Sequence, residues 1–251
     1  MPRAAINFND MMGGGDVIES NLIFNTCRES GDHGPINSWS RQPFLTTVKD
    51  GKTKSFDPAP RIIRKNFIFA NYGGSQGIDN DDGSSWYHIL NNFFYSADGF
   101  KMDYGGHDSV FENNLIMGYP YDGQNCINLA SFNPNHGHVA RYNVCIIGLG
   151  GRRVPSGCGD PSCADPQSDD SIDMEKVVTL GGGCMNQSVV LAGNKYYTTN
   201  GTAKFYCGYS GKNGTDLAVF QSLYGLEIGS TVGLLPNAQE MIDWATVKVG
   251  L

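Results

Sequence analysis

The chain has 251 residues, 33 of them glycine, with 17% charged residues, a net charge of −7 and a pI near 5.1. Its size allows one large domain or two small ones, and the glycine content with so few charges excludes a long-helix protein. The acidic balance, with no basic run interleaved with aromatics, excludes a nucleic-acid binder, and no apolar stretch reaches the ~18 residues of a membrane span.

Met1–Asp10 contains no apolar core of a secretory signal. Ala4–Asp10 already reads as a strand of the repeat described next, so the chain reads as N-terminally incomplete, from a protein of the secretory pathway or extracellular space. The repeat is clearest between Gly77 and Met117. A shift of 22 residues carries Gly77–Tyr95 onto Gly99–Met117, matching Ile78 to Phe100, Asp81 to Asp103, Gly83 to Gly105, Asn91 to Asn113 and Asn92 to Asn114. Its segments are too short for helices and rich in aromatic or branched apolar residues. Three short strands per unit describe a right-handed parallel β-helix, an all-β solenoid of coils of about 22 residues.

Two markers recur along the chain. Strands that open a coil are predicted at Ile6–Asn9, Ile36–Trp39, Ile78–Asp81, Phe100–Asp103 and Ile127–Ala130. An Asn followed by an apolar strand recurs at Asn21, Asn66, Asn92, Asn114, Asn143 and Asn194. An Asn at this turn tolerates left-handed φ, and its amide can bond its counterpart in the next coil to form a ladder. The wide gaps before Asn66 and Asn194 are either two coils or one coil with an insertion. Thr46–Pro60 and Gly150–Ser171 break the rhythm with turn signals and prolines. Residues 1–210 are thus assigned to coils with inserted loops near 46–60 and 150–171, and 211–251 to a helical C-terminal cap. The first cap helix runs from an Asp216 N-cap to Gly225, and the second follows Asn237 with Glu240 completing a capping box.

Of seven cysteines, Cys27, Cys126 and Cys145 read as buried small hydrophobes, and Cys158 with Cys163 as a loop disulfide. Asn-x-Ser/Thr sequons begin at Asn186, Asn200 and Asn213; chance accounts for that number in a chain so rich in Asn.

The chemistry concentrates on the face of the opening strands. Equivalent residues in adjacent coils stand about 4.8 Å apart, so Asp81 and Asp103 become outward neighbours near the ~5–5.5 Å separation of retaining glycosidases. Repulsion between two such carboxyls keeps one of them protonated as the donor. Asp32 is an alternate acid. Trp39 offers a stacking face for a sugar ring, with Trp86, Tyr87 and Tyr104 as further aromatics. His33, Asn37, Arg41, Lys101 and His107 are candidate substrate contacts. Asp79 and Asp82 add oxygen ligands for Ca²⁺, although a hydrolase of this kind requires no cofactor. The same acids also suit a plainer role, accepting turn N–H groups.

The phrases Phe24–Pro35, Asn37-Ser38-Trp39, Asp79–Ser84 and Gly105-Gly106-His107 resemble segments of right-handed parallel β-helix proteins that include polysaccharide-active enzymes, in a subgroup similar to certain glycoside hydrolases. The resemblance covers roughly Ala4 to Met117. It implies a pectin lyase-like fold, PbH1-type repeats and a monomer acting on a polysaccharide or oligosaccharide. The earlier coils such proteins carry are missing here. A Ca²⁺-dependent polysaccharide lyase or uronate epimerase, and a non-catalytic carbohydrate-binding module, stand as alternatives.

Overall fold

The computed structural model describes residues 1–9, 14–40, 59–71, 75–102, 105–118, 126–130, 136–148, 176–181, 184, 188–208 and 214–250. The chain winds through three walls in strict rotation. The first turn is β1 (Ile6–Asn9), β2 (Val17–Glu19) and β3 (Leu22–Thr26); the second is β4 (Ile36–Trp39), β5 (Arg61–Arg64) and β6 (Phe67–Asn71). The third is β7 (Ile78–Asp81), β8 (Tyr87–Leu90) and β9 (Phe93–Tyr95), and the fourth β10 (Phe100–Met102), β11 (Val110–Glu112) and β12 (Leu115–Gly118). The fifth is β13 (Ile127–Leu129), β14 (Val139–Arg141) and β15 (Val144–Ile147), and the sixth β16 (Lys176–Leu180), β17 (Val190–Ala192) and β18 (Lys195–Thr198). The last turn runs β19 (Lys204–Cys207), α1 (Leu217–Tyr224) and β20 (Thr231–Leu234), and α2 (Ala238–Val249) follows. Every strand pairs in parallel with its counterparts in the neighbouring turns, giving sheets of seven, six and seven strands. This is a parallel β-solenoid-like arrangement, and the predicted opening strands all fall in the first sheet.

The short strands work because alternate residues fill the bore. Ile36, Ile78, Phe100, Ile127, Val178 and Phe205 align in one register column of the first sheet and are buried. Ile63, Ile89, Phe111, Ala140 and Leu191 do the same from the second sheet, and Ile68, Phe94, Ile116, Cys145 and Tyr196 from the third. Asn80 faces the bore, as its alternation with Asp79 and Asp81 requires, and accepts a hydrogen bond from Ser38 Oγ at 2.8 Å.

The predicted Asn ladder runs the length of the solenoid. Asn21 Nδ2 donates to Asn66 Oδ1, Asn66 to Asn92, Asn92 to Asn114, Asn114 to Asn143 and Asn143 to Asn194, across separations of 45, 26, 22, 29 and 51 residues. Each of these acceptors also receives the donor residue's backbone N–H. The wide gaps are therefore single turns with insertions. The φ argument needs correction: the left-handed residue is the one before each ladder Asn. Ser20, Lys65, Asn91, Asn113 and Tyr142 have φ between 54° and 58°, and Gly193 has 62°. The ladder ends at Glu227, which is buried and receives Asn194 Nδ2 at 3.1 Å and Tyr196 Oη at 2.7 Å. Its burial raises the Glu227 carboxyl pKa above the ordinary value.

Both helix caps form as the sequence predicts: the Asp216 side chain accepts from Val219 N, and Asn237 and Glu240 make a reciprocal capping box. Their placement differs. In α1, Phe220 is buried against Phe205, closing the last turn of the bore. Helix α2 lies instead along the outside of the third sheet, where Met241, Trp244, Ala245 and Val249 cover Phe93, Leu115, Met117 and Ile146. The outward residues of that sheet beneath α2 are apolar, and an apolar face requires cover. The cysteines also differ from expectation. Cys126 and Cys145 form a disulfide, Cys184 and Cys207 a second, and only Cys27 among the described residues stays a buried thiol, raised to about 11 by burial. Cys158 and Cys163 lie outside the described residues. Among the described residues no helix is long and apolar enough to cross a membrane.

Candidate functional site

The outer face of the first sheet carries the predicted chemistry between the second and fourth turns. Register places Trp39 beside Asp81, and Asp79 beside both Asn37 and Lys101. Lys101 Nζ donates to Asp79 Oδ1 at 2.9 Å and stands 3.4 Å from Asp81 Oδ1. One ammonium thus joins two carboxylates that are two residues apart in one strand. It supplies positive charge to Asp79 and Asp81. Among the described residues Asp79, Asp81 and Asp82 do not converge as a three-ligand cluster.

The two carboxylates have different surroundings. Asp81 keeps 23% of its side chain exposed, whereas Asp79 is sealed at 0%. The seal is the segment before β4. Gly34 N donates to Asp79 Oδ2 at 3.2 Å, and any Cβ on Gly34 would collide with the Gln76 carbonyl and the Asp79 Cβ. Burial pushes the Asp79 carboxyl up to about 6, against the opposing pull of Lys101. The proton-holding acid of this face is therefore raised by desolvation, and it is Asp79, which cannot touch a substrate. Its role is to hold Lys101.

This predicts a pH effect on stability. Asp79 has a folded pKa near 6 against an ordinary value of 3.8. Folding therefore favours its protonated form, and that contribution is full below pH 3.8 and lost as pH rises through 6. Relative to Asp79→Asn, the wild type should lose stability between those limits, by about 3 kcal/mol as an upper figure. Urea denaturation of both proteins across this range measures it; a constant difference would contradict the assignment.

His33 is buried, not surface-exposed as a sugar contact requires. Arg3 Nη2 lies 3.0 Å from its Nε2 and Ser30 Oγ 3.2 Å from its Nδ1. Since Arg can only donate, Nε2 accepts and Nδ1 carries the proton. Burial, then Arg3, lower the His33 pKa, with Asp32, Asp81 and Lys101 all within electrostatic reach. The ring meets Trp39 edge-on at 6.2 Å between centroids. His33 thus supports the Trp39 indole from below. Asp32, 87% exposed, stands 3.8 Å from His33 Nδ1 at the rim. Asn37 is likewise buried, donating to Asn7 Oδ1 at 2.9 Å, so it ties two turns together and does not reach a ligand. Asp82 sits in the turn after β7 with φ 37°, its carbonyl accepting from Ser40 N. Asp103 and Arg41 lie outside the described residues.

The face therefore brings together Asp32, His33, Trp39, Asp79, Asp81 and Lys101, of which Asp32, Trp39, Asp81 and Lys101 are at least partly exposed. Arg3 and Ser30, which fix His33, were not anticipated; nothing in the repeat marks them, because they act from the preceding turn. His107 belongs elsewhere. It is buried at the corner between the first and second sheets, with its Nδ1 2.9 Å from Asp108 Oδ2 and its ring edge-on to Trp86. No protein-family model, curated protein or solved structure matches this chain.

Proposed function

We propose that this chain is a right-handed parallel β-helix, with turns of about 22 residues at their shortest, that acts as a glycoside hydrolase on a polysaccharide or oligosaccharide laid along the outer face of the first sheet. The usual hand of crossovers between parallel strands supports the right-handed reading. The observation that carries the function is the grouping of Trp39, Asp81 and Lys101: an indole in register with a carboxylate, and an ammonium 3.4 Å from that carboxylate, all partly exposed on one face. An indole takes the apolar face of a pyranose, and the two charged groups bond its hydroxyls.

Asp81 is the carboxylate that faces the sugar, with Lys101 Nζ 3.4 Å from its Oδ1, and acts as nucleophile or base. Asp103, its counterpart one repeat unit on in the sequence, is the partner acid of a retaining-type mechanism. Asp32, at the rim, is the alternate acid. The disulfides Cys126–Cys145 and Cys184–Cys207 favour an oxidising compartment and so a secreted protein.

Digestion of a polysaccharide panel tests this reading. Release of saturated reducing ends from at least one polymer, insensitive to chelator, is the expected result. Unsaturated, ultraviolet-absorbing products abolished by chelator would replace it with a lyase, and binding without any product would replace it with a binding module.

A further inference from the structure

A second cluster lies away from the Trp39–Asp81–Lys101 face. His107 and His136 occupy equivalent places in successive turns, three residues before Val110 and Val139, which pair in the second sheet. Stacking brings their rings to 5.1 Å between centroids. Asp108 Oδ2 lies 2.9 Å from His107 Nδ1 and 3.0 Å from His136 Nδ1, so both imidazoles converge on one carboxylate oxygen. The three ligand atoms all fall within 4.8 Å of one another. Both histidines are buried, while Asp108 keeps 27% of its side chain exposed and leaves a path from solvent. A third histidine, His138, is committed elsewhere: its Nε2 donates to the Gly106 carbonyl at 3.0 Å and its Nδ1 accepts from Ser109 N.

We propose that His107, Asp108 and His136 form a binding site for a single divalent transition-metal ion of the zinc class. Two imidazole nitrogens and one carboxylate oxygen suit Zn²⁺ or Co²⁺ and are a poor set for Ca²⁺, which takes six or more oxygens. Bonds of about 2.0–2.2 Å to each atom need ligand separations only a few tenths of an ångström wider than the two observed contacts. On binding, each ring turns its Nδ1 lone pair to the metal and carries its proton on Nε2, so two neutral imidazoles and one carboxylate bind without further change of charge. Three protein ligands leave at least one position for water, the pattern of an open site. The site stands independently of the carbohydrate reading.

The test uses untagged full-length protein stripped with chelator, titrated with Zn²⁺ by calorimetry and with Co²⁺ by visible absorption. The expected result is one equivalent of either ion, with ligand-field bands for Co²⁺, and affinity lower by on the order of 100-fold or more in Asp108→Asn and in His136→Ala. Should His136→Ala fail to fold by circular dichroism, His136→Gln keeps the volume and serves the same purpose. Failure of the wild type to bind a stoichiometric ion, or unchanged affinity in folded variants, overturns the proposal and leaves a hydrogen-bonded structural triad.

Discussion

Replacing Asn114 with Ala should destabilise the protein by about 3–5 kcal/mol, several times the effect of Asn113→Gly at the neighbouring position. Asn114 is fully buried and uses its whole amide. Its Oδ1 accepts from Asn92 N at 2.9 Å and Asn92 Nδ2 at 3.0 Å, and its Nδ2 donates to the Ile89 carbonyl at 3.0 Å and Asn143 Oδ1 at 3.1 Å. Alanine takes the side-chain partner from the Asn92 backbone N–H and the Ile89 carbonyl in a dry corner, at about 1–3 kcal/mol each, and removes one bond of Asn92 Nδ2, which keeps the Ile63 carbonyl. A domain with about 5–15 kcal/mol of total stability loses a large part of it. Asn113 is exposed and adopts φ 56°, so Asn113→Gly should change stability by less than about 1 kcal/mol. Urea denaturation of the two variants separates the cases; equal losses would mean that the ladder is incidental.

On a polymer that the wild type cleaves, Asp81→Asn should lower turnover about 1000-fold or more while leaving the fold intact. The fold survives because Asp79 keeps Lys101 paired at 2.9 Å and the asparagine is isosteric. Binding should persist in this variant, since Trp39 stays supported by His33. Trp39→Ala should show the converse split, weakening glycan affinity about tenfold, roughly 1.4 kcal/mol, from the lost ring contact. Turnover by Asp81→Asn at the wild-type rate would remove Asp81 from the chemistry.

The walls were legible because the fold repeats itself. Ile78–Asp81, Asn92 and Asn114 each announced a slot, and the 22-residue shift located the strands and the ladder without further help. Non-repeating features were harder. Asp79 and Asp81 alternate correctly as outward residues, yet only the tertiary seal over Gly34 tells which of them is buried. Helix α2 had a readable capping box, but its destination depends on the apolar outer residues Phe93 and Leu115, whose role as a docking face appears only once the third sheet is assembled. The pairing of His136 with His107 was accessible in principle. Their spacing is the same 29 residues that separates Asn114 from Asn143, and a search of equivalent slots for stacked histidines would have found it. The disulfide of Cys126 and Cys145 was hidden for a different reason: it joins a corner to the third wall, positions that no single-sheet register relates.

Both sites rest on turn-upon-turn register, and a cross-linking experiment probes it directly. Phe24 and Phe69 are partners in the third sheet, with rings stacked at 5.3 Å on its outer surface. In a Phe24→Cys/Phe69→Cys double variant the two thiols should close a disulfide under mild oxidation, since neighbouring parallel strands place the Cα atoms within bridging range. The Phe24→Cys/Ile68→Cys pair, with one thiol outside and one in the bore, should remain reduced. Closure of the second pair in preference to the first would contradict the register and both sites with it.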